Sequence, residues 1–220
     1  AIEGTAQIDL VLTNGAASAI ELDFDNAMSV SAVRKDGMSS GYEHSNNIIS
    51  IPLSKARTED LISIEVDFSG NPTYGMFHGT DDTWGTSVTF SLSEPFDAMG
   101  WFPVKQDLTD KADSSWVFVT VPDDLMAGSN GLLDQVVDNG DGTETYQWKS
   151  SYPIDYYLIS VAIADYTDAS IYAHPEQSED SILIQNFVYN SDGYLAANEW
   201  SMNQSIPIME ALCDALGLYP

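Results

Sequence analysis

Glu94 stands directly before Pro95 in the stretch Ser91–Pro122, SLSEPFDAMGWFPVKQDLTDKADSSWVFVTVP. The residue before a proline is driven out of the helical region, so this carboxylate is expected on extended backbone at the end of a strand, aimed at a neighbour or a ligand. Trp101-Phe102-Pro103 follows in what reads as a loop, and stiff apolar residues there either plug the bottom of a sheet or face another domain. A second reading is equally physical: a loop that crosses the core and carries Glu94 incidentally.

Other chemistry is thinly supported. A zinc hydrolase needs H-E-x-x-H on a helix, two imidazoles one turn apart with a Glu to work on bound water. His44, His78 and His174 have no such partners, and surface or turn positions are expected for them. There is no G-x-S-x-G elbow, and Cys213, the single cysteine, excludes an internal disulfide and a cysteine-built zinc site. It lies on the apolar side of a helical pattern, where a buried, inert thiol is expected. Calcium has two candidate loops. Asp138-Asn139-Gly140-Asp141-Gly142 carries carboxylates but fits a hairpin turn. Asn190, Asp192, Gly193 and Glu199 match four EF-hand positions, with Val188 where the first ligand belongs.

With 34 Asp and Glu against 7 Lys and Arg the net charge is -27, which repels a phosphate backbone or an anionic membrane and argues against nucleic acid as a partner. The acids are spread along the chain, as on a solvated, salt-tolerant surface. No apolar run reaches the roughly 18 residues of a membrane span. The chain opens on Ala-Ile-Glu-Gly without the character of a leader, so any export signal is expected upstream, and a secreted or periplasmic location is the expectation.

The elements that must position Glu94 read as strands: Ala6–Leu12, Ala19–Phe24, Asn47–Leu53, Leu61–Phe68, Ser87–Leu92, Trp116–Val121, Leu158–Ile163 and Ile182–Tyr189, with a hairpin between Val137 and Tyr146. Short alternating strands separated by turn residues predict an all-β fold, an antiparallel saddle-like sheet or β-sandwich. Only the C-terminus changes period. Ser205 as cap, Pro207 in the first turn, Ile208, Leu212, Ala215 and Leu216 at helical spacing and Gly217 as stop predict one short C-terminal α-helix of about three turns. Residues 1–200 then form the β domain and 201–220 a helix leading out of it, as in a chain cut at a domain boundary.

The opening segment resembles the N-terminal domain of the aminopeptidase N family of zinc peptidases, a gluzincin family. That pattern runs Ser/Gln-x-Glu-Pro/Ala, Ala, Trp/Phe-Phe/Trp-Pro-Cys, Asp, Lys-Ala and a strand ending in Val-Pro. Glu94, Pro95, Ala98, Trp101, Phe102, Pro103, Asp107, Lys111, Ala112 and Thr120-Val121-Pro122 fill it in order, with Val104 in place of Cys. The similarity continues through Ala127–Leu133, Thr145–Trp148, Pro153-Ile154 and Tyr157–Ala162, and covers nearly the whole chain.

The resemblance implies a non-catalytic wall of the substrate cleft in a zinc metallo-aminopeptidase. It assigns Glu94 to the free α-amine of the peptide substrate and places zinc in a catalytic domain beyond Leu218-Tyr219-Pro220. The chain alone is then expected to be inactive, without a metal site, and prone to self-association through Trp101, Phe102 or the Ile208 and Leu212 helix face. A different class stays open: a stand-alone acidic β-sandwich that binds peptide or glycan, or is stabilised by calcium.

Overall fold

The computed structural model describes residues 1–53 and 58–219. Its first half is a sandwich. Strands β1 (Ile2–Val11), β2 (Ala19–Asp23), β3 (Ser29–Lys35), β4 (Met38–Ser39), β5 (Glu43–Ser45), β6 (Ile48–Pro52) and β7 (Leu61–Gly70) form two antiparallel sheets, ordered β1-β7-β3-β4 and β2-β6-β5. Period-two alternation explains why they stack. Ile62, Ile64, Val66 and Phe68 of β7 point inward against Leu22, Phe24, Ile49 and Ile51 of the facing sheet, while Ser63, Glu65 and Asp67 point the other way. Each such apolar side chain taken from water stabilises the fold by about 1.5–3 kcal/mol.

The second half repeats the device with β8 (Met76–Thr80), β9 (Ser87–Ser91), β10 (Ser115–Pro122), β11 (Met126–Ser129), β12 (Leu132–Asp138), β13 (Thr143–Ser150) and β14 (Val161–Ala164). Sheets β11-β14-β9-β8 and β10-β13-β12 share a core of Val121, Ala127, Tyr146 and Trp148. The Trp148 indole donates to the Ala127 carbonyl at 2.9 Å, so this buried polar group is satisfied. The hairpin expected around Gly140 is the β12-β13 turn.

The long segment between β9 and β10 joins the two halves. Asp23 and Val104 exchange backbone hydrogen bonds at 2.7 and 3.1 Å, and the Asp25 amide donates to the Met99 carbonyl at 3.0 Å. Phe102 packs against both the first core and a small cluster of Ala98, Val104 and Tyr156. Trp101 is 8% exposed and Pro103 is fully buried. The expectation that Trp101 and Phe102 offer a surface to another domain is therefore corrected: they plug this chain's own interior.

Four short strands, β15 (Tyr166–Asp168), β16 (Ile171–Ala173), β17 (Ile182–Ile184) and β18 (Phe187–Tyr189), pair as β15-β18 and β16-β17 and lead into the helix α1 (Tyr194–Leu216). The run expected as one strand over Ile182–Tyr189 breaks at Gln185-Asn186, where the chain changes partner. The helix begins eleven residues before the expected Ser205 cap. Leu195, Ala196, Ala197, Glu199 and Met202 are good helix formers that carry it through Pro207, and Ser205 turns its hydroxyl back to the Met202 carbonyl instead of capping. The stop falls where expected, with the Gly217 amide donating to the Cys213 carbonyl at 3.0 Å. Cys213 is buried against the sheet, whereas Trp200, Ile208, Leu212 and Leu216 remain exposed. Position 200/201, the expected domain boundary, lies inside this helix, and Pro220 is outside the described residues.

Candidate functional site

Glu94 sits three residues beyond β9, in a turn over Glu94–Asp97 that runs into the 3-10 helix Ala98–Gly100. The peptide bond to Pro95 is cis. The side chain is exposed, and among the described residues it has neither a hydrogen-bond nor an ion-pair partner. The chain on either side of it is tied by hydrogen bonds. The Ser93 hydroxyl, 2% exposed, accepts a hydrogen bond from the Trp101 indole at 2.9 Å, and the Ser93 carbonyl accepts from the Asp97 amide at 3.0 Å. The Tyr156 hydroxyl donates to the Pro95 carbonyl. One residue back, the Leu92 amide donates to Gly75 at 2.9 Å.

Glu94 forms the lip of an open cleft of about 350 Å³, whose far wall comes from Asn130 and from Ile154, Tyr157, Leu158 and Ser160. That wall is also built from the opening motif. Lys111 pairs with the nearly buried Asp155 at 3.1 Å, and Ala112 exchanges backbone hydrogen bonds with Ile154 at 3.0 and 2.9 Å. Asn130 accepts from the Ser160 amide at 2.7 Å, and the Ser91 hydroxyl accepts from the Val161 amide at 2.9 Å. The cleft thus holds a free carboxylate, an aromatic face and three apolar side chains, Leu92, Ile154 and Leu158, a set suited to a cation attached to an apolar or peptide body. A second hollow, beneath α1, is lined by Asn186, Phe187, Tyr194, Asn198 and Met202 among others and has no carboxylate, histidine or cation.

The remaining candidates do not converge. His44 is half-buried on β5, with Nε2 at 3.0 Å from the Phe24 carbonyl and its ring stacked on Phe24, so it is a packed residue and not the surface histidine expected. His78 contacts the Thr89 hydroxyl at 2.9 Å on β8, and His174 is exposed beside α1. Among the described residues no three His, Cys, Asp or Glu side chains are grouped to hold a metal. Asp138 and Asp141 accept from the Gly140 and Thr143 amides of their own turn at 2.7 and 3.1 Å. Val188 is buried on β18, Asn190 donates to Asp165, and Glu199 is in the second turn of α1. Sequence reasoning missed Tyr156, Tyr157, Asn130 and Ser160 as builders of the cleft. They sit on a 3-10 helix and on the loops beside β11 and β14, which long-range pairing brings to Glu94, and nothing local marks them.

No family model matches the chain. A solved M1 zinc metallopeptidase from Deinococcus radiodurans superposes with a TM-score of 0.77 at 18% identity, over 99% of this chain and 49% of that one. Its fold is that of one half of an M1 zinc metallopeptidase. A mutant of the same Deinococcus radiodurans enzyme, solved with a Tyr-Ser-Ala substrate, gives 0.78 at 18% identity over 99% and 50%. In sequence, leucine aminopeptidase 2 of Vanderwaltozyma polyspora is 25% identical over 166 residues, which are 70% of this chain and 23% of that protein. The chain spans about half the length of the solved structures it matches and under a quarter of the curated relative. Among the described residues none are grouped to hold the zinc that the solved structures' names print: the three histidines and Cys213 lie on separate elements.

Proposed function

We propose that this chain is the non-catalytic N-terminal part of a zinc metallo-aminopeptidase and forms one wall of its substrate cleft. The observation that carries the reading is the unpartnered Glu94 carboxylate, on a fixed turn at the lip of an open cleft, in a chain with the fold of half an M1 metallopeptidase. Glu94 accepts charge-assisted hydrogen bonds from the substrate's free α-ammonium, while Tyr157, Leu158 and Ile154 border the residue it belongs to. An acetylated N-terminus has no cation to offer, so free N-termini are selected.

Binding and orientation are this chain's part. The bond-breaking step, the zinc and the residues that activate water belong to the other half of the same protein, which the exposed Trp200, Ile208 and Leu212 face of α1 approaches. The division proposed at 200/201 falls within α1, which leads out of the β domain.

The test is the complete protein encoded around this chain, assayed on aminoacyl substrates before and after chelation. Hydrolysis that disappears with the chelator and returns with zinc supports the reading. A complete protein without a zinc motif and without hydrolysis contradicts it.

A further inference from the structure

Glu94 is free at its carboxylate and fixed at its backbone, and two buried aromatics do much of the fixing. Trp101, 8% exposed, donates its indole hydrogen to Ser93, the residue before Glu94. Tyr156, 5% exposed, donates its hydroxyl hydrogen to the carbonyl of Pro95, the residue after it. Neither ring lines the cleft. They reach the turn from different elements: Trp101 follows the 3-10 helix Ala98–Gly100 after the turn, whereas Tyr156 opens the 3-10 helix Tyr156–Leu158 that supplies Tyr157 and Leu158 to the far wall. The phenol therefore joins the two walls of the cleft through one hydrogen bond.

We propose that Trp101 and Tyr156 are positioning residues for Glu94, holding the Ser93–Pro95 backbone so that the carboxylate meets a substrate ammonium without ordering a loop at binding. The proposal rests on the reading of Glu94 as the amine ligand. A turn that must be ordered when substrate arrives takes the entropy of ordering out of the binding energy, and a turn fixed beforehand does not. Fixing the backbone while leaving the carboxylate unpaired is the arrangement that binding an exogenous cation requires. A carboxylate with a structural role would have spent its lone pairs on this chain's own donors. Burial pushes ionisation of the Tyr156 hydroxyl upward, and the nearby carboxylate of Asp23 adds to the shift, so the phenol keeps its proton and remains a donor at neutral pH.

The experiment is a double-mutant cycle in the complete protein, with a dipeptide substrate bearing a free N-terminus. Tyr156→Phe removes the hydrogen bond and keeps the ring. Alone it is expected to raise KM roughly 3–10-fold, the reach of one hydrogen bond's net contribution, with kcat and zinc content within about twofold. Added to Glu94→Gln it is expected to change KM no further, because there is no carboxylate left to position. Trp101→Phe, which keeps an aromatic ring in the same site, is expected to show the same coupling. The proposal is overturned if Tyr156→Phe raises KM equally in both backgrounds, or if it lowers only kcat and melting temperature, as a purely structural residue would. Wild-type kinetics for Glu94→Gln would instead remove the reading of Glu94, and this proposal with it.

Discussion

Arg34 on β3 reaches across to β7 and donates twice to Asp67, at 2.7 Å each, and once to Glu65 at 2.8 Å. It is one of only seven basic residues against 34 acids, and it separates two carboxylates that share one face of the strand. The Arg34 guanidinium, helped by the Thr5 hydroxyl, lowers the Asp67 carboxyl from 3.8 to about 2. A carboxyl held below its unfolded value contributes stability above that value and loses it as pH falls through the folded one. Asp67→Asn should therefore lower the urea midpoint at pH 6, and its gap from the wild type should narrow between 3.8 and about 2. A gap that is constant with pH would show that the loss comes from packing. The pair is about 30% exposed, so the effect is modest.

At the scale of elements, the Glu94 turn lies against Gly75, the residue just before β8. This glycine has φ +74, and a Cβ there would sit 2.1 Å from the Asp97 carbonyl oxygen. Gly140, in the β12-β13 hairpin, has nearly the same φ of +73 but open space around it. Gly140→Ala should cost only the left-handed penalty, about 1 kcal/mol. Gly75→Ala should cost distinctly more, in the upper part of the roughly 1–3 kcal/mol range for backbone strain or beyond it, and should displace the Glu94 turn. Equal midpoints for the two variants in chemical denaturation would contradict the close approach. This contact also marks what sequence could and could not reveal. Alternation in LISIEVDF and the Asp-Asn-Gly-Asp-Gly turn announce β7 and the β12-β13 hairpin, since both signals are local. The opening motif singled out Glu94 and its aromatic neighbours, but not what they touch. Ser93 to Trp101 spans eight residues and Pro95 to Tyr156 sixty-one, so the second contact exists only after β14 has paired with β9. The sequence places the helix start too late because Pro207 is an ordinary first-turn residue in isolation, whereas the helix formers ahead of it and the packing of Tyr194 on Trp84 and Tyr189 start the helix earlier.

For the whole molecule, a net charge of -27 over a double sandwich means that the native state compresses mutually repelling carboxylates. Screening shortens the range of that repulsion from about 10 Å at 0.1 M salt to about 3 Å at 1 M. The melting temperature should rise steadily across that interval, and a fall would show that the few ion pairs outweigh the repulsion. The same field favours a cationic N-terminus at the cleft and disfavours an acidic peptide. The most direct test of the account is the kinetics of Glu94→Gln in the complete protein, on a peptide with a free N-terminus and on its acetylated counterpart. The account predicts that kcat/KM for the free peptide falls roughly 10–100-fold, the span of one or two charge-assisted hydrogen bonds, with zinc content and melting behaviour unchanged, and that discrimination against the acetylated peptide shrinks by a similar factor. Wild-type kinetics and intact discrimination would contradict it and leave Glu94 an incidental surface carboxylate.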